Sequence, residues 1–250
     1  MKQGDIYILG NHRLACGDCT DPEFVRQAVG DQNIRTILTD PPYGVAYVES
    51  KAHFNKKAAP SESMSKPIAN DQLQTDEQYQ AFTQKWLEAV TPHLASYNQA
   101  YIFNSDLMMC ALRAGMRAAD FYYSQMIIWI KNSVVVGRKD YLPQHEVIAY
   151  GWYGRHKMER SKSKSVIFHP RPVVSRLHPT QKPIGLLRKL LLDSTKIGDV
   201  VYDPFGGSGS TLIACEHLQR RCIMIELDAQ YCQTIIERWE KISGGKAQKI

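Results

Sequence analysis

The tetrad Asp40-Pro41-Pro42-Tyr43 contains groups that can bind and activate an amino group on a flat ring. It follows residues 34–39, an apolar run that predicts a buried strand. Asp40 and the carbonyl of Pro41 can each accept one hydrogen from an exocyclic NH2, while Tyr43 can stack on the ring. The prolines fix φ and hold the acceptors in place before substrate arrives. By itself the tetrad also fits an ordinary strand-to-turn exit.

A second motif, residues 203–210 with the sequence Asp-Pro-Phe-Gly-Gly-Ser-Gly-Ser, lies between a predicted strand and a predicted helix. Its glycines let a ligand approach the backbone, and Glu226 after the next strand is placed to hold ribose hydroxyls. A phosphate-binding P-loop would need a lysine where Gly209 stands, and a dinucleotide fingerprint would need a small residue in place of Leu212. Both differences favour an adenosyl ligand without a phosphate chain, such as S-adenosylmethionine.

A third motif, His-Pro-Thr-Gln-Lys-Pro at residues 178–183, precedes a predicted helix. The hydroxyl of Thr180 and the ammonium of Lys182 at a helix N-terminus make a carboxylate site, which suits the methionine end of that cofactor. A proline-rich helix entry is the alternative interpretation.

Strands alternate with helices along the chain, which predicts an α/β fold with a mainly parallel, doubly wound sheet. The predicted strands are 6–9, 13–16, 34–39, 100–103, 121–130, 146–150, 200–202 and 222–225. Predicted helices begin after Asp21, at the capping box of Thr75, at Leu107, at Pro183, after the glycine motif and at Ala229.

Composition indicates a single domain spanning residues 1–250, because 44% apolar residues supply a sizeable core for one α/β unit. The sequence has neither a run of about 18 apolar residues nor a signal peptide, so we expect a cytoplasmic protein with no membrane partner. Six cysteines are scattered along the chain. The pair Cys16 and Cys19 lacks a second pair, so no metal site is predicted.

Positive charge is concentrated in residues 151–190, where ten Lys or Arg face one acid, Glu159. This segment carries +9, whereas the other residues sum to −3. Such a local excess indicates a polyanion bound on one face, with a solvated basic loop as the alternative. Residues 45–69 have little periodicity and are interpreted as a mobile loop that closes over the substrate, with passive disorder as the alternative.

In this order, the three motifs resemble the permuted, β-type DNA amino-methyltransferases, in which the catalytic tetrad precedes the cofactor-binding glycine motif. The resemblance extends from Cys16 to Glu226, and Ser210 stands where the family usually has Thr. It implies a Rossmann-like S-adenosylmethionine methyltransferase fold with a circularly permuted order of elements.

Functional residues follow from matching each motif in turn. The resemblance implies catalytic roles for Asp40, Pro41, Pro42 and Tyr43, and cofactor contacts for Asp18, Cys19, Thr180, Lys182, Asp203, Phe205, Gly207, Ser208, Gly209 and Glu226. It also implies that residues 129–131 and 145–146 lie beside the pocket for the target base.

The resemblance implies methyl transfer to the N6 amine of a flipped-out adenine in double-stranded DNA. Family members that act on cytosine N4 more often have Ser at the first tetrad position, so Asp40 favours adenine. Cytosine N4, adenine in RNA and a non-catalytic nucleic-acid-binding module stay open. Methylation at cytosine C5 is excluded, because the sequence has no Pro-Cys pair. A homodimer and a partner restriction endonuclease are further predictions from the resemblance.

Basic side chains near the target-recognition segment are predicted to contact DNA phosphates, which positions a duplex without reading its bases. They are Lys131, Arg155, Lys157, Arg160, Lys162, Lys164 and Arg171. Because the recognition insert, residues 151–177, is small, we expect a short or relaxed recognition sequence, with specificity shared by residues 131–144.

Overall fold

The computed structural model describes residues 1–44, 73–134, 140–171 and 181–250. The predicted mobile loop at 45–69 and the threonine at position 180 lie outside the described residues. Within the described ranges, ten strands form one sheet and six α-helices cover it. No described helix is both long enough and apolar enough to cross a membrane.

The strands and helices are numbered here in chain order. The strands are β1 (Ile6–Leu9), β2 (His12–Cys16), β3 (Ile34–Thr39), β4 (Leu94–Asn104), β5 (Phe121–Ile130), β6 (His145–Tyr153), β7 (Val166–Phe168), β8 (Val200–Asp203), β9 (Arg221–Glu226) and β10 (Gln248–Lys249). The helices are α1 (Pro22–Val29), α2 (Asp76–Val90), α3 (Met109–Ala118), α4 (Ile184–Ser194), α5 (Ser210–Leu218) and α6 (Ala229–Ser243).

The strand order in the sheet is β10-β1-β2-β9-β8-β3-β4-β6-β5-β7. The five central strands, from β2 to β4, are parallel neighbours, whereas β1 and β6 run in the opposite direction. The carboxyl ends of the parallel strands therefore meet at one edge, here called the catalytic edge. Because β6 is reversed, its first residues lie at that same edge.

Apolar side chains fill both faces of the sheet. Ile37 belongs to the core beneath α1, α2 and α3, whereas its neighbour Leu38 belongs to the core beneath α4, α5 and α6. Successive side chains of a strand point to opposite faces, so a strand covered on both sides reads as a continuous apolar run. The fold is therefore doubly wound, as predicted from the sequence.

Local capping signals begin α1 and α2 where the sequence predicts. Asp21 accepts hydrogen bonds from two backbone amides at the start of α1, and Thr75 forms a capping box with Gln78 at the start of α2. Strand ends were harder to predict. β4 begins six residues before the predicted Ala100. Leu94 already pairs with Ile34 of β3, but the partly exposed residues at the start of β4 show no apolar pattern that predicts a strand.

Candidate active site

The strand β3 lies between β8 and β4 and delivers Asp40 to the catalytic edge. β8 ends with Asp203 and β9 ends with Glu226 at the same edge. In open α/β sheets, ligands bind outside the carboxyl ends of the strands. The three acids, which are far apart in sequence, thus converge on one region.

The tetrad forms a compact turn that is held by its own side chains. The hydroxyl of Tyr43 donates to Oδ1 of Asp40 at 2.6 Å. Gly44, which follows, has φ +64°, a conformation that residues with a side chain rarely adopt. Its carbonyl accepts the amide of Gln74 at 2.9 Å, which attaches the turn to the chain entering α2.

Lys182 joins the tetrad to a second carboxylate. Its ammonium donates to Oδ2 of Asp40, and it lies 3.3 Å from Oε2 of Glu146 and 3.4 Å from the hydroxyl of Tyr43. Lys131 pairs with the other oxygen of Glu146 at 2.7 Å. Two buried lysines and two half-buried acids therefore form one cluster at the catalytic edge.

Burial and the cluster's own charges set the protonation of these groups. Burial raises the pKa of Asp40, and the nearby charge of Lys182 limits this rise. Burial also opposes the charged form of Lys182, but Asp40 and Glu146 outweigh it and raise the pKa of the ammonium. Lys182 is therefore a cation at neutral pH.

Thr39 connects the tetrad to the glycine motif. Its hydroxyl donates to Oδ1 of Asp203 at 2.7 Å, and the same oxygen accepts the amide of Phe205 at 3.2 Å. Burial raises the pKa of Asp203 to about 7, although these hydrogen bonds act against the rise. No local sequence signal marks Thr39, because its partner lies far along the chain.

Glu226 anchors the turn after β8. Its Oε2 accepts the amide of Gly207 at 2.6 Å, and its Oε1 accepts the amide of Asp228 at 2.8 Å. Burial raises the pKa of Glu226 to about 7, against the lowering effect of these two amides. A Cβ added at Gly206 would lie 2.8 Å from Met224, so only glycine fits there.

The other predicted residues of the glycine motif line the same turn in different ways. The ring of Phe205 packs against Phe82 and Trp86, with centroids 5.7 and 5.6 Å apart. Ser208 is buried, and its carbonyl accepts a hydrogen bond from Arg238 at 2.7 Å. These contacts position the loop backbone.

The residues that follow β2 lie beside the end of β9, where Glu226 is located. The amide of Gly17 donates to the carbonyl of Glu226 at 3.0 Å, and Asp18 caps the amide of Thr20 at 2.8 Å. Cys19 is buried, and this burial raises the pKa of its thiol far above the usual value. Asp18 and Cys19 thus lie beside Glu226, and Cys19 is a neutral thiol.

Two residues of the acid–lysine cluster and its surroundings were not among the predicted site residues. Glu146 was only implied to lie near the base pocket, although it contacts both Lys131 and Lys182. The centroid of the Phe103 ring lies 5.1 Å from the ammonium of Lys182. A carboxylate at the start of an otherwise apolar predicted strand is the sequence signal for Glu146, whereas the sequence does not distinguish Phe103 from other core residues.

The predicted DNA-binding residues do not share one surface. Lys131 is buried against Glu146, and the amide of Arg171 donates to Asn132 at the catalytic edge. Arg155 instead packs over Tyr97 near the start of β4, at the opposite edge of the sheet.

The segment that contains Lys157 and Arg160 is built into that opposite edge. Arg35, near the start of β3, donates to the carbonyl of Lys157 and pairs with Glu159 at 3.2 Å. The amide of Arg160 donates to the carbonyl of Asp193. Lys162 and Lys164 are exposed between the two edges, on the way to β7.

Comparisons with known proteins show the family to which this chain belongs. The family model described as DNA methylase, N6_N4_Mtase, matches residues 34–237. The chain is 24% identical to the type II methyltransferase M.HpaI of Haemophilus parainfluenzae, over 91% of this chain and 74% of that protein. The chain therefore belongs to the DNA methylase family.

Solved structures resemble this fold over nearly its whole length. The PvuII DNA methyltransferase, described as cytosine-N4-specific, has a TM-score of 0.67 at 16% identity, over 94% of this chain and 91% of that one. The M1.HpyAVI–SAM complex has a TM-score of 0.62 at 22% identity, over 90% of this chain and 98% of that one. The Rossmann-like methyltransferase fold is thereby confirmed.

Proposed function

We propose that this DNA methyltransferase transfers a methyl group from S-adenosylmethionine to the N6 amine of adenine in double-stranded DNA. The observation that carries the proposal is the bond between Thr39 and Asp203, 2.7 Å long, which joins the tetrad turn to the glycine turn. An amine bound at Asp40 would thus lie next to a cofactor bound at Glu226.

The residues of the glycine turn fit an adenosyl cofactor. Each carboxylate oxygen of Glu226 accepts one backbone amide and keeps acceptor capacity for ribose hydroxyls. Gly206 brings the backbone close to Glu226. Asp18 and Cys19 lie beside the end of the same strand. The hydroxyl of Thr180 would bind the cofactor carboxylate. When bound, S-adenosylmethionine supplies an electrophilic methyl group.

Asp40 and the carbonyl of Pro41 activate the amine. The lone pair on adenine N6 is delocalised into the ring, and two acceptors on its hydrogens pull the nitrogen toward tetrahedral geometry. They also stabilise the positive charge that develops on this nitrogen during transfer. Pro41 and Pro42 hold the turn rigid, so little reorganisation is needed.

A base inside a duplex cannot reach this turn, so the target adenine flips out of the stack at a cost of a few kcal/mol. Stacking on the ring of Tyr43, of about 1 to 3 kcal/mol, offsets part of that cost. Arg171, Lys164 and Lys162 contact the phosphates that flank the flipped base. The proposal also includes that the protein forms a homodimer and that it acts alongside a partner restriction endonuclease.

Cytosine N4 is the second candidate, because its amine presents the same two hydrogens to Asp40 and Pro41. The fold similarity to the cytosine-N4-specific PvuII enzyme supports keeping it. The aspartate at position 40 favours adenine only through the habit of the family.

Labelled S-adenosylmethionine, mixed-sequence duplex DNA and matched RNA test the proposal, with nucleoside analysis of the product. We expect N6-methyladenine in DNA and a loss of roughly 100-fold or more in the Asp40→Asn variant, which keeps the shape but removes the charge. Asp31→Asn, which changes an exposed acid just before β3 at the opposite edge of the sheet, is the matched control and should transfer methyl groups normally.

The other outcomes are equally informative. N4-methylcytosine would keep the mechanism and change the base, and label only in RNA would change the nucleic acid. Tight DNA binding with no label in either polymer would contradict the proposal and favour a binding module.

A further inference from the structure

Both carboxylate oxygens of Asp40 are occupied by partners from the protein itself. Tyr43 donates to Oδ1 at 2.6 Å, and the ammonium of Lys182 donates to Oδ2. For the proposed transfer, one of these oxygens must also accept a hydrogen of the target amine, for which it keeps acceptor capacity. The amine nitrogen becomes positive during transfer, so an ammonium that stays on Asp40 opposes that charge. Tyr43 belongs to the same rigid turn, whereas Lys182 reaches in on a flexible four-carbon stem. Lys182 is therefore the partner that has to give way.

An ammonium that leaves Asp40 needs another negative partner nearby. The side chain of Lys182 is 8% exposed, and a buried cation without a counter-charge is strongly unfavourable. The rings of Phe103 and Tyr43 lie 5.1 and 5.8 Å from the ammonium. Such cation–π contacts help a cation but do not replace a carboxylate.

Glu146 has the free acceptor that this movement needs. Its Oε1 is taken by Lys131 at 2.7 Å. Its Oε2 lies 3.3 Å from the ammonium of Lys182 and accepts no hydrogen bond from the residues described in the structure. Burial opposes the charged form of Glu146, but Lys182 and Lys131 outweigh it and keep its pKa below the usual value.

We propose that Glu146 is a positioning residue for methyl transfer, which receives the ammonium of Lys182 when the target amine replaces that ammonium on Asp40. The inference rests on the proposed function, because it assumes an amine bound at Asp40. The movement is short, since Lys182 already lies between the two carboxylates. The cluster of two acids and two lysines stays neutral throughout, so no buried charge is left alone.

Sharing of Lys182 between two carboxylates is tested by stability, without any substrate. Asp40→Asn, Glu146→Gln and the double variant are unfolded in urea. Each single variant leaves one carboxylate for Lys182, whereas the double variant leaves none, so we expect the double variant to lose more stability than the two losses added. In a Lys182→Gln background this excess should disappear. Additive losses with Lys182 present would overturn the inference.

The positioning role is tested by kinetics on DNA at saturating S-adenosylmethionine. We expect Glu146→Gln to lower kcat by about tenfold, because Lys182 then stays on Asp40. Glu146→Asp, which keeps the carboxylate, should recover part of this loss. In the Lys182→Gln background, Glu146→Gln should change kcat by less than about twofold, since no ammonium blocks Asp40.

The outcomes separate this inference from the proposed function. If the wild-type protein methylates no DNA, the proposed function fails and the positioning role fails with it. If the wild-type protein is active but Glu146→Gln lowers kcat equally with and without Lys182, Glu146 does not act through Lys182, and only this inference is overturned.

Discussion

Thr39 and Asp203 are 164 positions apart in sequence and share a buried hydrogen bond of 2.7 Å. At the scale of residues, this single contact brings the amine-binding turn next to the cofactor turn. Asp203 is buried and ends β8, so every partner it keeps offsets part of the cost of its burial.

Replacing Thr39 by Val removes that hydroxyl while keeping the shape of the side chain. We expect a loss of about 1 to 3 kcal/mol in the free energy of unfolding, because a buried carboxylate loses one of its donors. Urea denaturation measures it. Thr39→Ser keeps the hydroxyl and should lose clearly less, and equal losses for Val and Ser would contradict the role of the hydrogen bond.

The raised pKa of Glu226 predicts how the affinity for the cofactor depends on pH. Burial raises its pKa to about 7, so raising the pH through 7 converts the neutral acid into a carboxylate that accepts from ribose hydroxyls. We expect the affinity for S-adenosylhomocysteine to rise with pH between about 6 and 8, by at most about tenfold per pH unit for one proton.

Calorimetry across this pH range provides the measurement. The Glu226→Gln variant should bind S-adenosylhomocysteine more weakly, and its affinity should depend less on pH. The pH dependence that is left is expected to come from Asp203, because burial raises its pKa to about 7 as well. An affinity that falls as the pH rises would contradict the assignment of Glu226.

At the scale of elements, His12 joins two strands and two helices. Its Nδ1 accepts the amide of Cys222 in β9 at 3.0 Å, and its Nε2 donates to Glu216 in α5 at 2.9 Å. The same oxygen of Glu216 accepts the indole N–H of Trp239 in α6 at 2.7 Å. The acceptor role of Nδ1 requires a neutral ring, with its proton on Nε2.

Protonation of His12 at acidic pH should therefore break the hydrogen bond from the amide of Cys222 and lower the stability of the fold. Burial lowers the pKa of His12 below its ordinary value of 6.5, against the attraction of Glu216. The stabilisation is complete above about pH 6.5 and is lost as the pH falls through the lower pKa of the folded state. We expect the Tm to fall between about pH 7 and 5, and less steeply in His12→Gln than in the wild type. Equal slopes in both proteins would contradict the prediction.

At the scale of the whole molecule, the basic residues divide between the two edges of the sheet. β5 spans ten residues, which is roughly 30 Å at the usual rise per residue. Arg171 lies at the catalytic edge and Arg155 at the other. A duplex bound over Asp40 would meet Arg171 first.

Arg171→Gln and Arg155→Gln form a matched pair of charge removals. We expect Arg171→Gln to reduce the salt dependence of DNA binding by about one unit of slope in a plot of log K against log salt. Arg155→Gln should leave the slope nearly unchanged. Fluorescence anisotropy with a labelled duplex at several salt concentrations measures both, and a larger effect for Arg155 would contradict the proposed DNA surface.

Much of the fold was determined by local sequence signals. The apolar runs of β3 and β9, the cap at Asp21 and the capping box at Thr75 act over a few residues, so they can be recognised without tertiary structure. The turn motifs at Asp40 and Asp203 can be recognised for the same reason, since the chemistry of each motif lies within one turn.

Other features depended on pairing between distant strands. Only the reversal of β6 carries Glu146 to the catalytic edge and Arg155 away from it, although both residues follow β5 in sequence. Lys182, which the sequence assigned to the cofactor, reaches Asp40 because α4 begins at that edge. Local sequence determined the groups that can do chemistry, whereas strand order and direction decided which of them meet, because contacts between distant residues are set by the whole sheet.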